Sequence, residues 1–269
     1  MELEKRVIKG VPLRVSPRMA EAGVAHGFTT RLGGVSGGIY ASLNLGMNRG
    51  DDPAKVRENY RRVCEALGVE MGKLVFSGQV HQAEVRKVTL ADGGTGLERK
   101  VDYDADGLIT DEPGLTLVVF GADCLTILLC DPERKVAAAV HAGWRGTALG
   151  IAARAVEAMV RDYGCREENI LAAIGPGISR CCFETGPEVP EAMKKTLGEE
   201  ALPYIGSEDA GKCKVDLKGL NNLWLKRSGV LTTNIDISSE CTLCDPKTYW
   251  SHRYTKGERG SQAALICLK

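Results

Sequence analysis

Histidine is scarce in this chain, which has only four among its 269 residues. Any metal site or proton-transfer site built with imidazole must draw on His26, His81, His141 and His252. A net charge is also missing, because 35 basic residues balance 35 acidic ones. Proteins that bind nucleic acid or anionic membranes usually carry a basic excess, so we expect neither partner.

Long apolar runs are missing as well. No stretch approaches the roughly 20 apolar residues that a membrane-spanning helix needs. The first residues, MELEKR, are charged and lead into no apolar segment, so we expect no signal peptide and a cytosolic protein. Localisation in the cytosol would keep thiols reduced.

Cysteine, by contrast, is abundant, with ten residues. In a cytosolic protein such thiols serve more often as metal ligands or catalysts than in disulfides. Cys241 and Cys244 form one Cys-x-x-Cys pair, for which Cys181, Cys182 or Cys213 are the available partners. The pair alone is a weak signal, and we interpret it as buried thiols or an incidental spacing.

Short apolar runs alternate with helical patterns along the chain, without strict strand–helix alternation. This mixture predicts an α/β (α+β) fold, a single-domain mixed-sheet sandwich over residues 1–269. We expect strands at 74–81, 83–90, 115–120, 125–130, 136–140, 170–174 and 263–267. We expect helices at 53–67, 146–163, 187–197 and 216–227, the first with Asp51-Asp52-Pro53 at its start and Gly68 at its end.

Three side chains with metal-binding chemistry follow or interrupt these apolar runs: His81, Cys124 and His141. Strand ends place side chains at the rim of a sheet, where a rigid scaffold can hold a site. Two imidazoles and one thiolate form a known catalytic zinc set with a fourth position open. The alternative is equally simple, since an isolated cysteine is usually a small buried residue and an isolated histidine a hydrogen-bonded polar group.

A series of motifs in fixed order gives a more specific signal across nearly the whole chain. In order they are HGFTTRLGGVS (26–36), YASLNLG (40–46), QVH (79–81), ADGLI (105–109), ADC (122–124), HAGWRG (141–146), IGP (174–176), DL (216–217), CT (241–242) and SHR (251–253). On these residues the chain closely resembles the YfiH/YlmD family, also called laccase-domain or peptidoglycan-editing-factor proteins. A YfiH-like sandwich is the fold that the resemblance implies.

The resemblance implies a zinc ion bound by His81, Cys124 and His141. It implies purine nucleoside phosphorylase activity on adenosine and inosine, with purine nucleosides and phosphate as substrates. Phosphorolysis of methylthioadenosine and deamination of adenosine are further activities that it implies. Copper in the same site is a second metal to consider. Oligomeric state stays open.

Phosphorolysis needs donors for phosphate, and the planar guanidinium of arginine provides them. Arg31 and Arg145 are the candidates, with ordinary surface or ion-paired arginines as the alternative. Asn44 is a candidate for a hydrogen bond to ribose or base. Asp123, beside Cys124, is a candidate general acid/base or ligand-orienting residue, and Cys124 and His141 complete the predicted catalytic set.

Three other functions compete with this hypothesis. Cys124 and His141 also suit a Cys-His hydrolase, the class to which editing of peptidoglycan precursors belongs. A copper-dependent polyphenol oxidase with four copper ions needs about ten histidines, whereas this chain has four. A binding module without catalytic activity is the third alternative.

Overall fold

Two six-stranded sheets form the centre of the protein in a computed structural model that describes residues 1–269. The strands are β1 (Glu4–Ile8), β2 (Val11–Val15), β3 (Ala25–Thr29), β4 (Leu74–Val75), β5 (Val85–Lys87), β6 (Gly107–Thr110), β7 (Thr116–Gly121), β8 (Leu125–Asp131), β9 (Val136–Ala142), β10 (Leu171–Ile174), β11 (Glu184–Thr185), β12 (Cys213–Lys214), β13 (Ile235–Ile237) and β14 (Gln262–Cys267). The helices are α1 (Pro17–Glu21), α2 (Pro53–Leu67), α3 (Trp144–Ala148), α4 (Ile151–Tyr163), α5 (Glu188–Leu197), α6 (Leu217–Arg227) and α7 (His252–Thr255). None of these helices is both long and apolar enough to cross a bilayer.

The first sheet has the order β1-β2-β3-β14-β7-β4 and the second the order β13-β10-β8-β9-β6-β5. Most neighbours are antiparallel, but β4 runs parallel to β7, β5 to β6 and β10 to β13. β11 and β12 form a separate small sheet. Both large sheets are therefore mixed, which confirms the predicted fold class.

The core has three parts because each sheet is covered on both faces. Leu117 and Ile266 of the first sheet pack with Leu128 and Ala139 of the second between the two sheets. Side chains of α2 cover the outer face of the first sheet, while α3 to α6 cover the second. The result is an α/β/β/α sandwich in which the continuous apolar runs of β8 and β9 lie at the centre.

Local sequence signals account well for α2. Asp52 caps the helix by accepting a hydrogen bond from the Ala54 N–H at 2.9 Å, and Pro53 occupies the first turn. Gly68 ends the helix with φ 66°, a left-handed conformation that favours glycine. The predicted helix over 53–67 is confirmed.

Three predicted elements are wrong. The expected strand over 83–90 is limited to β5, which covers Val85–Lys87 and pairs with β6. The expected helix over 146–163 is divided into α3 and α4 at Gly150, whose φ of 73° ends the first helix. The expected strand over 74–81 is limited to Leu74 and Val75, because only these two residues pair with β7. His81 therefore lies in a loop and not at a strand end.

Candidate metal centre

Strand pairing brings two of the three predicted ligands to the same edge of the second sheet. β8 and β9 are antiparallel, with Leu125 opposite Ala142 and Thr126 opposite His141. Cys124 immediately precedes β8, so it lies beside the end of β9 that carries His141. A hairpin between two central strands thus fixes the relative positions of the thiol and one imidazole.

A buried carboxylate connects the third ligand to this edge. Asp106, fully buried just before β6, accepts a hydrogen bond from His141 Nδ1 at 2.7 Å. Its two oxygens also accept from the backbone N–H groups of Val80 at 3.1 Å, His81 at 3.0 Å and Gln82 at 2.8 Å. The same carboxylate therefore orients one imidazole and holds the loop that presents the other.

The three potential ligand atoms, one from each of His81, Cys124 and His141, lie within 4.8 Å of one another. Cys124 Sγ is 3.9 Å from His81 Nε2, and the two imidazole rings are nearly perpendicular at 87°. Since His141 Nδ1 bonds Asp106, its Nε2 remains available as a ligand. This carboxylate–histidine arrangement is the usual support of a metal-binding imidazole.

Space for an ion is preserved by a glycine. A Cβ at Gly143 would lie 2.9 Å from His81 Cδ2 and 3.2 Å from Cys124 Sγ, so only a hydrogen fits there without a shift. His81 is exposed, Cys124 half-buried and His141 buried. A metal bound here would have protein on one side and an accessible face on the other.

Electrostatics favour metal binding by Cys124. Burial opposes ionisation of this thiol, but hydrogen bonding and proximity to His141 and His81 outweigh it and lower its pKa to about 6. Burial likewise opposes the charged form of His141, yet Asp106 and Cys124 raise its pKa to about 9. Both shifts favour a thiolate beside an imidazolium in the metal-free group, and a metal bound by His141 Nε2 would displace the imidazolium proton.

Asp123, the predicted acid/base residue, is buried and held at two points. Its Oδ1 accepts from the Thr242 hydroxyl at 2.6 Å and its Oδ2 from the Arg253 N–H at 2.7 Å. Its φ is 84°, in the left-handed region, and it directly precedes Cys124. The carboxylate thus joins the Cys124 turn to two segments from the C-terminal part of the chain.

The three predicted substrate contacts differ in how free their polar groups are. The Arg31 guanidinium donates to the carbonyls of Ala41 and Pro246 and lies 4.0 Å from the Trp250 ring. Asn44 is fully buried. Its side-chain NH₂ group donates to the Asp51 carboxylate, and its side-chain oxygen accepts from the N–H groups of Gly46 and Ser261. Arg145 is exposed, and its guanidinium lies 4.2 Å from the Trp144 ring and makes no hydrogen bond.

A cavity of about 290 Å³ lies next to the chain segments that carry His81 and Cys124. The polar residues of its wall that matter here are Arg49, Ser77, Gln79 and Ser261. Gln79 bonds the backbone N–H and carbonyl of Phe120, which ties the His81 loop to the end of β7. The buried Ser77 Oγ has no hydrogen-bond partner in the protein.

Arg259, which the sequence motifs did not single out, lies next to this cavity through its hydrogen bond to Ser261, a residue of the wall. It donates to Gly260 and Ser261, while its buried Nε has no partner. Burial and the nearby Arg49 lower its pKa to about 10, and the negative charges of Asp123 and Cys124 act in the opposite direction. Two arginines in mutual repulsion, one with a free buried N–H, form a suitable place for an anion.

Comparison with known proteins agrees with these observations. A family model described as "Multi-copper polyphenol oxidoreductase laccase" matches residues 25–269. The chain belongs to this family. Its YlmD and YfiH members are the relatives that the motif order in the sequence indicated.

One relative is the purine nucleoside phosphorylase YlmD of Geobacillus stearothermophilus, which is 38% identical over 248 residues, covering 91% of this chain and 90% of the relative. The crystal structure of YlmD from that organism matches with a TM-score of 0.93 at 35% identity, covering 99% of this chain and 98% of the other. The crystal structure of the Bacillus licheniformis protein YfiH matches with a TM-score of 0.92 at 32% identity, covering 98% and 99%. At these identities and coverages the family likeness extends over the whole fold.

Proposed function

We propose that residues 1–269 form a single zinc-dependent catalytic domain, a purine nucleoside phosphorylase that acts on adenosine, inosine and methylthioadenosine. The observation that carries the proposal is a three-ligand site with one accessible face, His81–Cys124–His141, near a cavity that Arg49 lines and whose wall residue Ser261 bonds Arg259. Relatives named purine nucleoside phosphorylase support the reaction class. Zinc binds imidazole and thiolate ligands in catalytic sites that keep a fourth position open.

In phosphorolysis a phosphate oxygen forms a bond to C1′ of the ribose while the bond from C1′ to the purine nitrogen breaks. The products are a purine that has gained a proton and ribose 1-phosphate. Arg259 and Arg49 supply positive charge for the phosphate, and Ser77 Oγ supplies a hydrogen-bonding group. Fixing the phosphate close to the sugar lowers the entropic part of the barrier.

The leaving purine needs a proton, and Asp123 is our candidate for its transfer. The hydrogen bonds from Thr242 and Arg253 fix the orientation of the carboxylate, and each of its oxygens retains a lone pair. Zinc held by His81, Cys124 and His141 supplies Lewis-acid stabilisation of developing negative charge when it is bound. Among the predicted substrate contacts, Arg145 has a free guanidinium, whereas Arg31 and Asn44 would act by holding the loops around the site.

The decisive experiment incubates the purified protein with inosine, with and without phosphate, and follows hypoxanthine and ribose 1-phosphate. We expect both products in equal amounts, dependence on phosphate, and loss of activity in His81→Ala. Parallel reactions with adenosine and methylthioadenosine rank the substrates, and inosine formed from adenosine reports deamination. A protein with full zinc content that releases no base would refute the proposal.

A Cys-His hydrolase is the second candidate, because the lowered pKa of Cys124 also suits a nucleophile. Such an enzyme could act on peptidoglycan precursors without metal. Chelation followed by alkylation separates the two mechanisms. A hydrolase keeps its activity after chelation and loses it when Cys124 is alkylated. The zinc enzyme already loses its activity on chelation.

The family description raises copper oxidation as a third activity. The His81–Cys124–His141 site can hold one copper ion in place of zinc, since imidazole and thiolate bind both metals. Four histidines are too few for the centres of a four-copper oxidase. Oxidation of a phenol that scales with one copper per chain would mark a secondary activity of the same site.

A further inference from the structure

Four cysteines outside the site described above converge in space. Cys181 and Cys182 lie in the loop after β10, and Cys241 and Cys244 lie in the segment after β13. All four sulfur atoms are within 4.8 Å of one another. Cys244 Sγ is 3.3 Å from Cys182 Sγ and 3.6 Å from Cys181 Sγ. The Cys-x-x-Cys pair is therefore not an incidental spacing.

These distances suit four sulfur ligands around one small ion. A zinc–sulfur bond of about 2.3 Å places tetrahedral sulfur atoms about 3.8 Å apart. A disulfide would require about 2.05 Å between two of them. Iron–sulfur clusters distribute their thiolates over different iron atoms, which separates the sulfurs further than a single ion does.

The surroundings match those of a bound tetrathiolate. The Ser179 N–H donates to Cys241 Sγ at 3.3 Å, and the backbone N–H groups of Leu243 and Cys244 also face this sulfur. Such N–H donors stabilise metal-bound thiolates. Lys218 is buried close enough to interact electrostatically with Cys241 and Cys181. Its ammonium partly offsets the net charge of −2 that a divalent ion with four thiolates carries.

We propose that Cys181, Cys182, Cys241 and Cys244 bind a structural zinc ion. All four ligands come from the protein, which leaves no open position for a substrate. Binding releases the four thiol protons, and the ion stays divalent, so no oxidant or reductant takes part. The proposal concerns a site separate from the His81–Cys124–His141 centre and does not depend on the reaction catalysed there.

An ion at the four cysteines would lie close to the segments that hold Asp123. The cluster joins the loop after β10 to the segment that carries Thr242, next to the bridge between Gly177 and Cys241. From these two loop segments, the Ile178 N–H donates to the Asp123 carbonyl at 2.8 Å, and the Thr242 hydroxyl donates to the Asp123 carboxylate. Zinc at the four thiols would therefore hold the hydrogen-bond partners of Asp123 in place.

The test is the zinc content of the full-length protein, purified from zinc-supplemented medium and measured by elemental mass spectrometry. We expect two zinc ions per chain in the wild type, one in Cys244→Ala and one in His81→Ala. Cys213→Ala is the matched control, because Cys213 is a buried thiol near the same loop but outside the cluster, and it should retain two. Cys244 is exposed, so its truncation removes little packing.

Cobalt substitution provides a second readout that does not involve activity. Thiolate-to-cobalt charge-transfer absorption should persist in His81→Ala and fall strongly in Cys244→Ala. One zinc per wild-type chain, lost in His81→Ala and kept in Cys244→Ala, would overturn the proposal. So would a Cys182–Cys244 disulfide found by mass spectrometry in freshly purified protein. Should Cys244→Ala fail to fold, the wild-type stoichiometry still decides between one site and two.

Discussion

Asp106→Asn changes a single carboxylate oxygen and tests how the His81–Cys124–His141 site is held together. Oδ1 accepts from His141 Nδ1 and the His81 N–H, and Oδ2 accepts from the N–H groups of Val80 and Gln82. An amide offers one accepting oxygen, and its NH₂ group presents donors on the other side. In either orientation of the amide, two of the four donors lose their acceptor.

The size of the effect follows from these bonds. A buried donor without a partner costs about 1–3 kcal/mol, and the exposure of Val80 and Gln82 places the loop donors at the lower end. We therefore expect a loss of stability of about 2–4 kcal/mol for the two donors together. Removing the partner of a metal-binding imidazole typically weakens metal affinity about 10–100-fold, or about 1.4–2.7 kcal/mol.

Two measurements report the zinc affinity and the stability of the metal-free protein. Competition with a chromogenic chelator gives the zinc dissociation constant, and chemical denaturation with excess chelator gives the stability of the metal-free protein. Asp104→Asn is the matched control, since Asp104 is exposed, makes no side-chain hydrogen bond and should leave both quantities unchanged. A folded Asp106→Asn variant that binds zinc as tightly as the wild type would refute the role assigned to Asp106.

Three further predictions concern the same region. Gly143→Ala should weaken zinc binding about tenfold without changing the metal-free fold, because its Cβ would press on His81 and Cys124; unchanged affinity in the chelator competition would contradict this. Arg259→Gln should raise the KM for phosphate about tenfold or more, with kcat less affected. Arg31→Gln should chiefly lower thermal stability, because the Arg31 guanidinium donates to backbone carbonyls of the protein itself. The reverse pattern in phosphate titrations would exchange the two roles. Asp123→Asn should lower kcat at full zinc content by more than Thr242→Val does, and undiminished turnover would exclude Asp123 from proton transfer.

The sequence predicted most reliably those elements whose signals are local. The cap at Asp52, the proline at position 53 and the glycine at 68 each fix the backbone through contacts within a few residues. The apolar runs that became β8 and β9 were equally clear, because strands buried on both faces leave continuous hydrophobic segments. The errors arose where distant contacts decide the backbone.

The division between α3 and α4 shows such a contact. Apolar spacing continues through the break, but Asn221 and Trp224 of α6 donate to the hydroxyl and carbonyl of Thr147, at 2.9 Å and 2.8 Å. The carbonyl of Thr147 is thus engaged by a helix far away in the chain, and Gly150 permits the change of direction. No periodicity in a single sequence contains this information.

At the metal centre, too, the sequence indicates residues with a distinctive side chain but not those whose role depends on distant contacts. His81, Cys124 and His141 have side chains whose chemistry marks them in the sequence, and the structure brings all three together. Asp106 lies within the ADGLI motif, but the sequence assigns it no role, because a buried carboxylate becomes informative only once its four donors are known. Arg259 was missed for the same reason, since its place beside Asp123 and Cys124 depends on the packing of the loop before β14.

Backbone conformation explains why these supporting residues matter so much. His81 has φ 61° and Asp123 has φ 84°, and residues other than glycine occupy this region at a cost of about 1–3 kcal/mol each. Both are held there from outside, His81 by the N–H bonds of its loop to Asp106, and Asp123 by Thr242 and the Arg253 N–H. One of these residues is a proposed metal ligand, and the other directly precedes one. The hydrogen bonds therefore fix the ligands in a geometry that the isolated loops would not adopt, and the site is preorganised before the metal arrives.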